Sequence, residues 1–335
     1  MTIALAVFVA AGMLLVLAGT VQTRAADAIA EITGLGRLFV GSLLLAAATS
    51  MPELATDVSA VRFGAVNLGA GDLFGSSLAN MLILAAIGYV SAGTPVFRAA
   101  TPIHAVTACL AIVLNAAAGV FVLARLEQPG WPIGIESPLL VAGFVVGMRI
   151  VYTHRTDGGP VEDRPTRRWT PHLRGALLRF SLAGAGLLVT APAFAWSAKR
   201  IAELSGLGTT FVGTWLVGLA TSMPEMVTAV AALRLGAVDL AVGNLFGSNA
   251  LNMVVFFAMD LAYPGGSIFA ALDPAHALSA LLAVVLMALG LAAIVLRSEG
   301  RRSLLEPGSA LMIAVYLSGL VLLYTFADRA AGAGR

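Results

Sequence analysis

Two copies of one short string place a carboxylate inside an apolar stretch of the sequence. The string ATSMPE occupies residues 48–53 and again 220–225, each time flanked by hydrophobic residues. Glu53 and Glu225 are therefore predicted to lie in a hydrocarbon environment, where a charged residue costs about 2.5 kcal/mol or more and usually marks an ion or proton path. The nearest basic residues, Arg62 and Arg234, fall at the ends of these stretches, so a buried salt bridge has no obvious partner.

The proline in each string is predicted to break a helix beside the glutamate. Pro52 has no N–H for the carbonyl of Ala48, which should leave that oxygen unpaired. Thr49 precedes Glu53 by four residues, the spacing of one helix face. The second copy repeats this pattern at Ala220, Thr221, Pro224 and Glu225. Carboxylate, hydroxyl and carbonyl oxygens should thus cluster at both places.

A second polar group follows each string. Ser76 and Asn80 are four residues apart, as are Ser248 and Asn252, so each pair can face the neighbouring glutamate helix. Small residues would let these helices approach closely, and helix packing alone could also explain the serines. The small residues are Gly71, Gly75, Gly243 and Gly247.

These side chains are all oxygen donors, without histidine or cysteine. Oxygen-only sites suit hard cations, and Ca²⁺ accepts about six to eight oxygen ligands in flexible geometry. Two glutamates balance one divalent charge. Because two bare carboxylates would repel each other after the ion leaves, another cation, Na⁺ or H⁺, must replace it. That requirement is the physical logic of an exchanger.

The composition predicts an all-α membrane protein. Of the 335 residues, 59% are hydrophobic and only 11% are charged. A helix crosses a bilayer with about 20 apolar residues. About ten such runs occur, at 2–21, 38–61, 68–90, 101–124, 135–152, 174–196, 209–233, 238–259, 274–296 and 309–326. The first run lacks a basic segment before it and is long for a cleaved signal, so it is predicted to be a transmembrane helix.

An internal repeat divides the sequence. A shift of 172 residues aligns 29–84 with 201–256 without a gap, and 31 of the 56 positions are identical. Each copy carries five predicted spans, an odd number, so the second copy should be inverted in the bilayer. Inverted repeats are typical of transporters, with the substrate site near the midplane. The predicted domains are a first repeat at 1–152, a basic linker at 153–173 and a second repeat at 174–335.

The distribution of basic residues predicts the orientation. Fourteen of the 20 lysine and arginine residues fall on one side of the ten predicted spans. Positive residues favour the cytoplasmic side, so the linker should be cytoplasmic and both termini external. The linker carries Arg155, Arg164, Arg167 and Arg168. Nucleic-acid binding is not expected, because these arginines lack interleaved aromatic residues.

At the doubled TSMPE and GS motifs, the chain resembles the calcium/cation antiporter superfamily, and within it the prokaryotic sodium/calcium exchangers. The resemblance implies a calcium site on Glu53 and Glu225 with Thr49 and Thr221. It further implies sodium ligands that share both glutamates and add serines, with asparagines at the central polar positions. These residues are Ser50, Ser76, Ser222, Ser248, Asn80 and Asn252.

The chain departs from the family pattern in ways that bear on the counter-ion. Ala48 and Ala220 stand where members often have glycine, and Asp72 stands where they have asparagine. Asp72 could be a carboxylate in the ion path or a solvated cap at the start of its helix, and the cap is the favoured interpretation. His104 and His276, also related by the repeat, are predicted to mark helix starts rather than a proton relay.

The expected function is antiport of Ca²⁺ against Na⁺ in a prokaryotic plasma membrane, with H⁺ as the alternative counter-ion. A membrane enzyme using paired carboxylates is less favoured, because catalytic pairs need unequal environments and these two are near-identical. A passive channel fits poorly with inverted halves. No P-loop is present, and no cofactor is expected beyond the transported Ca²⁺ and Na⁺. The expected partners are small cations and the lipid bilayer.

Overall fold

A computed structural model describes residues 1–90, 96–126, 133–154, 171–204, 221–296 and 307–333, and these ranges contain helices and turns without a strand. The helices are α1 Thr2–Thr33, α2 Arg37–Thr49, α3 Met51–Arg62, α4 Val66–Val90, α5 Val96–Ala99, α6 His104–Ala124, α7 Glu136–His154, α8 Pro171–Leu204, α9 Met223–Arg234, α10 Val238–Ala262, α11 Ile268–Ala271, α12 His276–Val295 and α13 Pro307–Ala333. A π-helical stretch, Val40–Leu45, interrupts α2.

The helices confirm the membrane fold. Within the described ranges, eight are long and apolar enough to cross a bilayer, and the bent pair of α2 and α3 makes a ninth span. Large apolar side chains are exposed along them, as lipid-facing residues should be, including Leu14, Leu17, Leu182 and Val189. The seventh predicted span, at 209–233, is the remaining one of the ten. Its residues 209–220 lie outside the described part of the chain, and most of the rest belongs to α9.

Two spans are longer than hydropathy predicts. The first was expected at 2–21, but α1 continues to Thr33 and ends where Gly34 adopts a left-handed conformation, with φ of 66°. The sixth was expected at 174–196, and α8 runs over 34 residues instead. Hydropathy marks the part of a helix that faces lipid, whereas polar residues such as Gln22 and Thr23 are buried within the protein.

The chain forms two compact units that do not coincide with the sequence repeats. The first unit comprises 1–53, 99–107 and 148–248, and the second comprises 54–98, 108–147 and 249–335. Each unit therefore contains segments of both repeats. The predicted boundaries at 152 and 174 describe the repeats rather than these units.

Within the first unit, α1 and α8 pack antiparallel, and they are equivalent helices of the two repeats. A Cβ on Gly12 would lie 3.1 Å from the Phe194 ring, and a Cβ on Gly184 would lie 3.0 Å from Nε2 of Gln22. By the 172-residue shift, Gly184 is the equivalent of Gly12 and Phe194 is the equivalent of Gln22. Each helix therefore gives the glycine to one contact and the larger side chain to the other, as expected for inverted repeats.

A second contact is also used twice, once in each unit. In the first unit the Thr101 amide donates to Oδ1 of Asp239 at 2.8 Å. In the second, the Asp273 amide donates to Oδ1 of Asn67, also at 2.8 Å. Asp239 is the equivalent of Asn67, and Thr101 the equivalent of Asp273. The repeated hydrogen bond joins the residues just before one helix to the start of another.

The two equivalent histidines open helices, as predicted. His104 is the first residue of α6 and His276 is the first of α12. Nε2 of His104 lies 2.9 Å from Oδ1 of Asp239, whereas His276 stacks on Phe74 with ring centroids 6.3 Å apart. The surroundings of the two histidines have thus diverged although their positions match.

Candidate functional site

The first span with a glutamate bends at Ser50. Helix α2 ends at Thr49, α3 begins at Met51, and the two helices form an angle of 44°. The Ser50 amide still donates to the carbonyl of Ala46 at 3.0 Å. The break predicted from Pro52 is confirmed. The expectation that Thr49 and Glu53 share one helix face is wrong for this copy, because the bend puts them on different helices.

The second copy has the same backbone turn. Ser222 has φ of −83° and ψ of 10°, close to the −83° and −1° of Ser50. Helix α9 begins immediately after Ser222, with Pro224 in its first turn. Ala220, where the sequence predicts an unpaired carbonyl, lies outside the described residues.

Both glutamates lie in the first turn of a helix and are buried. Glu53 is 2% exposed near the start of α3, and Glu225 is fully buried near the start of α9. The first turn leaves amide N–H groups without carbonyl partners, and the helix dipole is positive there. Both features favour a carboxylate, so each helix break creates a suitable place for a buried acid.

The first unit gathers seven of the ten predicted ligands. Besides both glutamates, it contains Thr49, Thr221, Ser50, Ser222 and Ser248. All of these are buried except Thr221, which is partly buried. Among the residues that the structure describes, no three acidic, histidine or cysteine side chains lie close enough together to hold a metal ion by themselves. The two glutamates would therefore bind an ion together with neutral oxygens.

Three of the buried hydroxyls suit that role. The side chains of Ser50, Ser222 and Ser248 are at most 1% exposed, and their Oγ atoms find no hydrogen-bond partner in the described part of the chain. Buried polar groups are nearly always satisfied, and each exception calls for a physical reason. A hydroxyl that serves as an ion ligand gives such a reason.

The remaining three predicted ligands lie in the second unit. Ser76 and Asn80 are on α4, and Asn252 is on the part of α10 that belongs to this unit. Nδ2 of Asn80 donates to Oδ1 of Asn249 at 2.9 Å. The Asn252 amide is fully buried and has no partner in the described ranges. Helices α4 and α10 are unbroken, so the two residues of each pair lie on one face of a continuous helix.

A chain of polar contacts holds the broken helices of the two repeats together within the first unit. Oγ1 of Thr49 on α2 lies 3.4 Å from Oδ1 of Asn244 on α10. Nδ2 of Asn244 donates to Oγ1 of Thr228 on α9 at 3.0 Å, and that hydroxyl reaches the carbonyls of Pro224 and Glu225. Sequence reasoning did not single out Thr228 or Asn244, although the repeat pairs them with Thr56 and Asp72.

Two glycines bring the backbones of α2 and α10 into contact. A Cβ on Gly243 would lie 2.9 Å from the Leu38 carbonyl oxygen, and a Cβ on Gly247 would overlap the Ser42 carbonyl oxygen. The predicted close approach is thus confirmed for this pair. The other two predicted glycines are Gly71 and Gly75 on α4. By the repeat, they would contact Thr210 and Thr214, which lie outside the described residues.

An acidic pair in the second unit was not predicted. Asp57 is 1% exposed and lies one turn beyond Glu53 on α3, and its carboxyl group is close enough to that of Asp72 on α4 for the two charges to interact. Two ionised carboxylates so close to each other repel, and a proton on one of them would relieve that repulsion. The second repeat has Ala229 and Asn244 at these places, so the acidic pair is confined to the first repeat.

Asp72 is not a helix cap, and that prediction is wrong. Helix α4 begins at Val66, six residues earlier, because the chain leaves α3 through Gly64 in a left-handed conformation with φ of 79°. Asp72 is therefore in the second turn, where its side chain reaches Asp57 instead of free backbone amides.

Comparison with known proteins identifies the family. The profile of the family described as "Sodium/calcium exchanger protein" matches residues 3–153 and again 175–328, once for each repeat. The inner membrane protein YrbG of Escherichia coli is 23% identical over 271 residues, which cover 80% of this chain and 82% of YrbG. The sodium/calcium exchanger MaX1 of Methanosarcina acetivorans is 38% identical over 84 residues, 25% of this chain and 24% of MaX1.

A solved structure has the same fold. The sodium-calcium exchanger NCX_Mj, soaked with 10 mM Na⁺ and no Ca²⁺, superimposes with a TM-score of 0.69 at 19% identity, over 96% of this chain and 99% of that chain. Crystals of the same exchanger soaked with 2.5 mM Na⁺ and 10 mM Sr²⁺ give the same TM-score. With the family profile on both repeats and an exchanger fold over nearly the whole chain, this protein is a membrane transporter, not an enzyme, and belongs to the sodium/calcium exchanger family.

Proposed function

We propose that this transporter exchanges Ca²⁺ for Na⁺ at a site built on Glu53 and Glu225. The observation that carries the proposal is that both glutamates are buried in first turns beside equivalent helix breaks of one compact unit. Their two negative charges balance one Ca²⁺. The hydroxyls of Ser50, Ser222 and Ser248 supply neutral oxygens, which hard cations accept.

Exchange follows from the cost of emptying such a site. Two buried carboxylates without a cation repel each other and have lost most of their hydration, so the ion-free transporter is unfavourable. Na⁺ ions that share the same glutamates remove this cost. The remaining ligands of the proposal come from the resemblance to prokaryotic sodium/calcium exchangers and are Thr49, Thr221, Ser76, Asn80 and Asn252.

Equilibrium binding tests the proposal. Purified protein should bind radioactive Ca²⁺, and Na⁺ should displace the ion while the same concentration of a large organic cation should not. Absence of Ca²⁺ binding, or displacement by both salts alike, would contradict shared glutamates.

Replacing Ser248 by alanine should weaken Na⁺ binding more than Ca²⁺ binding. Na⁺ relies on neutral oxygens for much of its coordination, whereas Ca²⁺ is held mainly by the two carboxylates. The expected result is that Ser248→Ala needs several-fold more Na⁺ to displace Ca²⁺, with Ca²⁺ affinity nearly unchanged. Ser267, another buried serine, provides the control Ser267→Ala. Equal weakening of both ions would argue against a sodium role for Ser248.

The acidic pair supports H⁺ as a second candidate counter-ion. Asp57 and Asp72 are close enough to repel each other when both are ionised, so a proton on one of them would relieve the repulsion. They lie on the helix of Glu53 and on the helix of Ser76. The second repeat supplies matched replacements, Ala229 and Asn244. We expect wild-type Ca²⁺ flux to fall in acid, and the double variant Asp57→Ala with Asp72→Asn to be less acid-sensitive while remaining Na⁺-dependent.

Flux in vesicles at a series of pH values measures this effect. If wild-type uptake is driven by a pH gradient in sodium-free vesicles and the double variant loses it, H⁺ is the counter-ion. If acid inhibits both proteins equally, the acidic pair has no part in proton competition.

We further propose that the protein lies in a prokaryotic plasma membrane with the linker 153–173 in the cytoplasm and both termini outside. The arginines of the linker carry this proposal. A cysteine at Gly158, in a Cys109→Ala background, should react with an impermeant thiol reagent only from the cytoplasmic side. Reaction from the outside alone would reverse the orientation.

A further inference from the structure

A large cavity lies between α1 and α8 of the first unit. Its lining residues fall within 21–32 and 172–179, which do not include either glutamate. Its volume is about 930 Å³. Its charged and titratable lining residues are Arg24, Arg179, His172 and Glu31, and apolar side chains such as Val21 and Ile32 complete it. None of these residues is among the proposed ion ligands.

The cavity lies beside the ends of the two apolar runs of α1 and α8. The apolar run of α1 ends near residue 21, and that of α8 begins near residue 174. Because the helices are antiparallel, these two ends are side by side. Because an apolar run marks the hydrocarbon core, a site beside the ends of two such runs is expected near the lipid headgroups.

The charge of the cavity lining suits an anion, because two arginines outweigh the one acid, Glu31. Arg24 and Arg179 are exposed and form no ion pair with any described residue. The nearby acid Asp27 is bound by Arg37, with Nε 2.5 Å from Oδ1. Guanidinium groups bind phosphate oxygens in a bidentate manner, and the positive end of α8 starts at the same place.

The opposite ends of the same two helices show that the fold does not require these arginines. The repeat pairs Arg24 with Trp196 and Arg179 with Val7. The inverted counterpart of the cavity therefore lacks these two arginines, although it has another basic residue, Arg200, at the position equivalent to the lining residue Ala28. The placement of one arginine on each of the two helices is thus particular to this end of the pair.

We propose that this cavity binds the headgroup of an anionic phospholipid, with its phosphodiester between Arg24 and Arg179. Basic pockets between transmembrane helices bind anionic headgroups, and each basic side chain near the surface contributes to that attraction. Val21 and Ile32 contact the glycerol and upper acyl region. The bound lipid joins the first helix of one repeat to the first helix of the other.

Native mass spectrometry of the full-length protein in detergent tests the proposal. The probes are phosphatidylglycerol, phosphatidylcholine with the same acyl chains, and inorganic phosphate. Wild type should retain one phosphatidylglycerol about tenfold or more tightly than phosphatidylcholine. The double variant Arg24→Gln with Arg179→Gln should lose this preference, and each single variant should lose part of it. Arg174→Gln, exposed on α8 but outside the cavity lining, is the matched control and should keep it.

Three results would overturn the proposal: no preference in wild type, a preference that survives the double variant, or an equal loss in Arg174→Gln. Displacement of phosphatidylglycerol by low concentrations of inorganic phosphate would instead assign the cavity to a free anion and would overturn the lipid assignment. Both arginines are exposed, so the variants should fold, and a single symmetric peak in size-exclusion chromatography verifies it.

Discussion

Replacing either Glu53 or Glu225 by glutamine should lower Ca²⁺ exchange by about a hundredfold or more, while the protein still inserts in the membrane. Glutamine keeps the size and one carbonyl oxygen of the side chain but removes the charge that balances half of the divalent ion. Loss of one charge from a buried, paired arrangement costs about 3–5 kcal/mol, which corresponds to at least two powers of ten in binding. Ca²⁺ flux in vesicles is the measurement.

Glu136→Gln is the matched control. Glu136 is another fully buried glutamate, but it lies at the start of α7 and outside the repeated motif. Exchange should persist in this variant. Near-normal exchange in Glu53→Gln or Glu225→Gln would remove that glutamate from the site, and comparable loss in all three variants would show only that buried glutamates are needed for folding.

Replacing Gly247 by alanine should impair both stability and transport. The added Cβ would collide with the backbone carbonyl oxygen of Ser42, which cannot rotate away as a side chain can. Forcing extra atoms into a packed contact costs about 1–3 kcal/mol. The contact lies beside the polar chain that joins Thr49 to Asn244, so separation of α2 from α10 would also displace the region of the glutamates.

A thermal unfolding curve in detergent and a flux assay together measure the effect of Gly247→Ala. We expect a lower unfolding temperature and a flux reduced by about tenfold. Gly186→Ala is the control, because its Cβ would meet only the Ala18 methyl at an ordinary 3.4 Å. Equal behaviour of the two variants would mean that the glycine contact at α10 is not needed.

The repeat and the proline breaks could be predicted because they depend on local features of the chain. The 172-residue repeat is found by comparing the sequence with itself. Pro52 affects only the backbone next to it. The long ends of α1 and α8 could not be predicted in the same way. Those ends mix buried polar residues, such as Gln22 and Thr23, with exposed charged ones, such as Arg24, so the average hydropathy falls although the helix continues.

The acidic pair shows a different limit of sequence reasoning. Asp57 lies in an apolar stretch as Glu53 does, yet it has no partner within its own repeat motif and no equivalent in the second copy. Its significance appears only when α4 is placed beside α3, because the side chain of Asp72 then reaches it. The cap prediction for Asp72 failed for the same reason, since a helix start six residues earlier left that side chain facing another helix.

Gradient-driven flux tests Na⁺/Ca²⁺ exchange most directly. Purified protein in sealed vesicles would be given an outward Na⁺ gradient without a pH gradient, and internal Ca²⁺ would be followed with a fluorescent indicator. We predict Ca²⁺ uptake that reverses to Ca²⁺ release when the Na⁺ gradient is reversed, and that disappears in Glu53→Gln. Ca²⁺ movement that ignores the direction of the Na⁺ gradient but follows an imposed pH gradient would contradict sodium coupling.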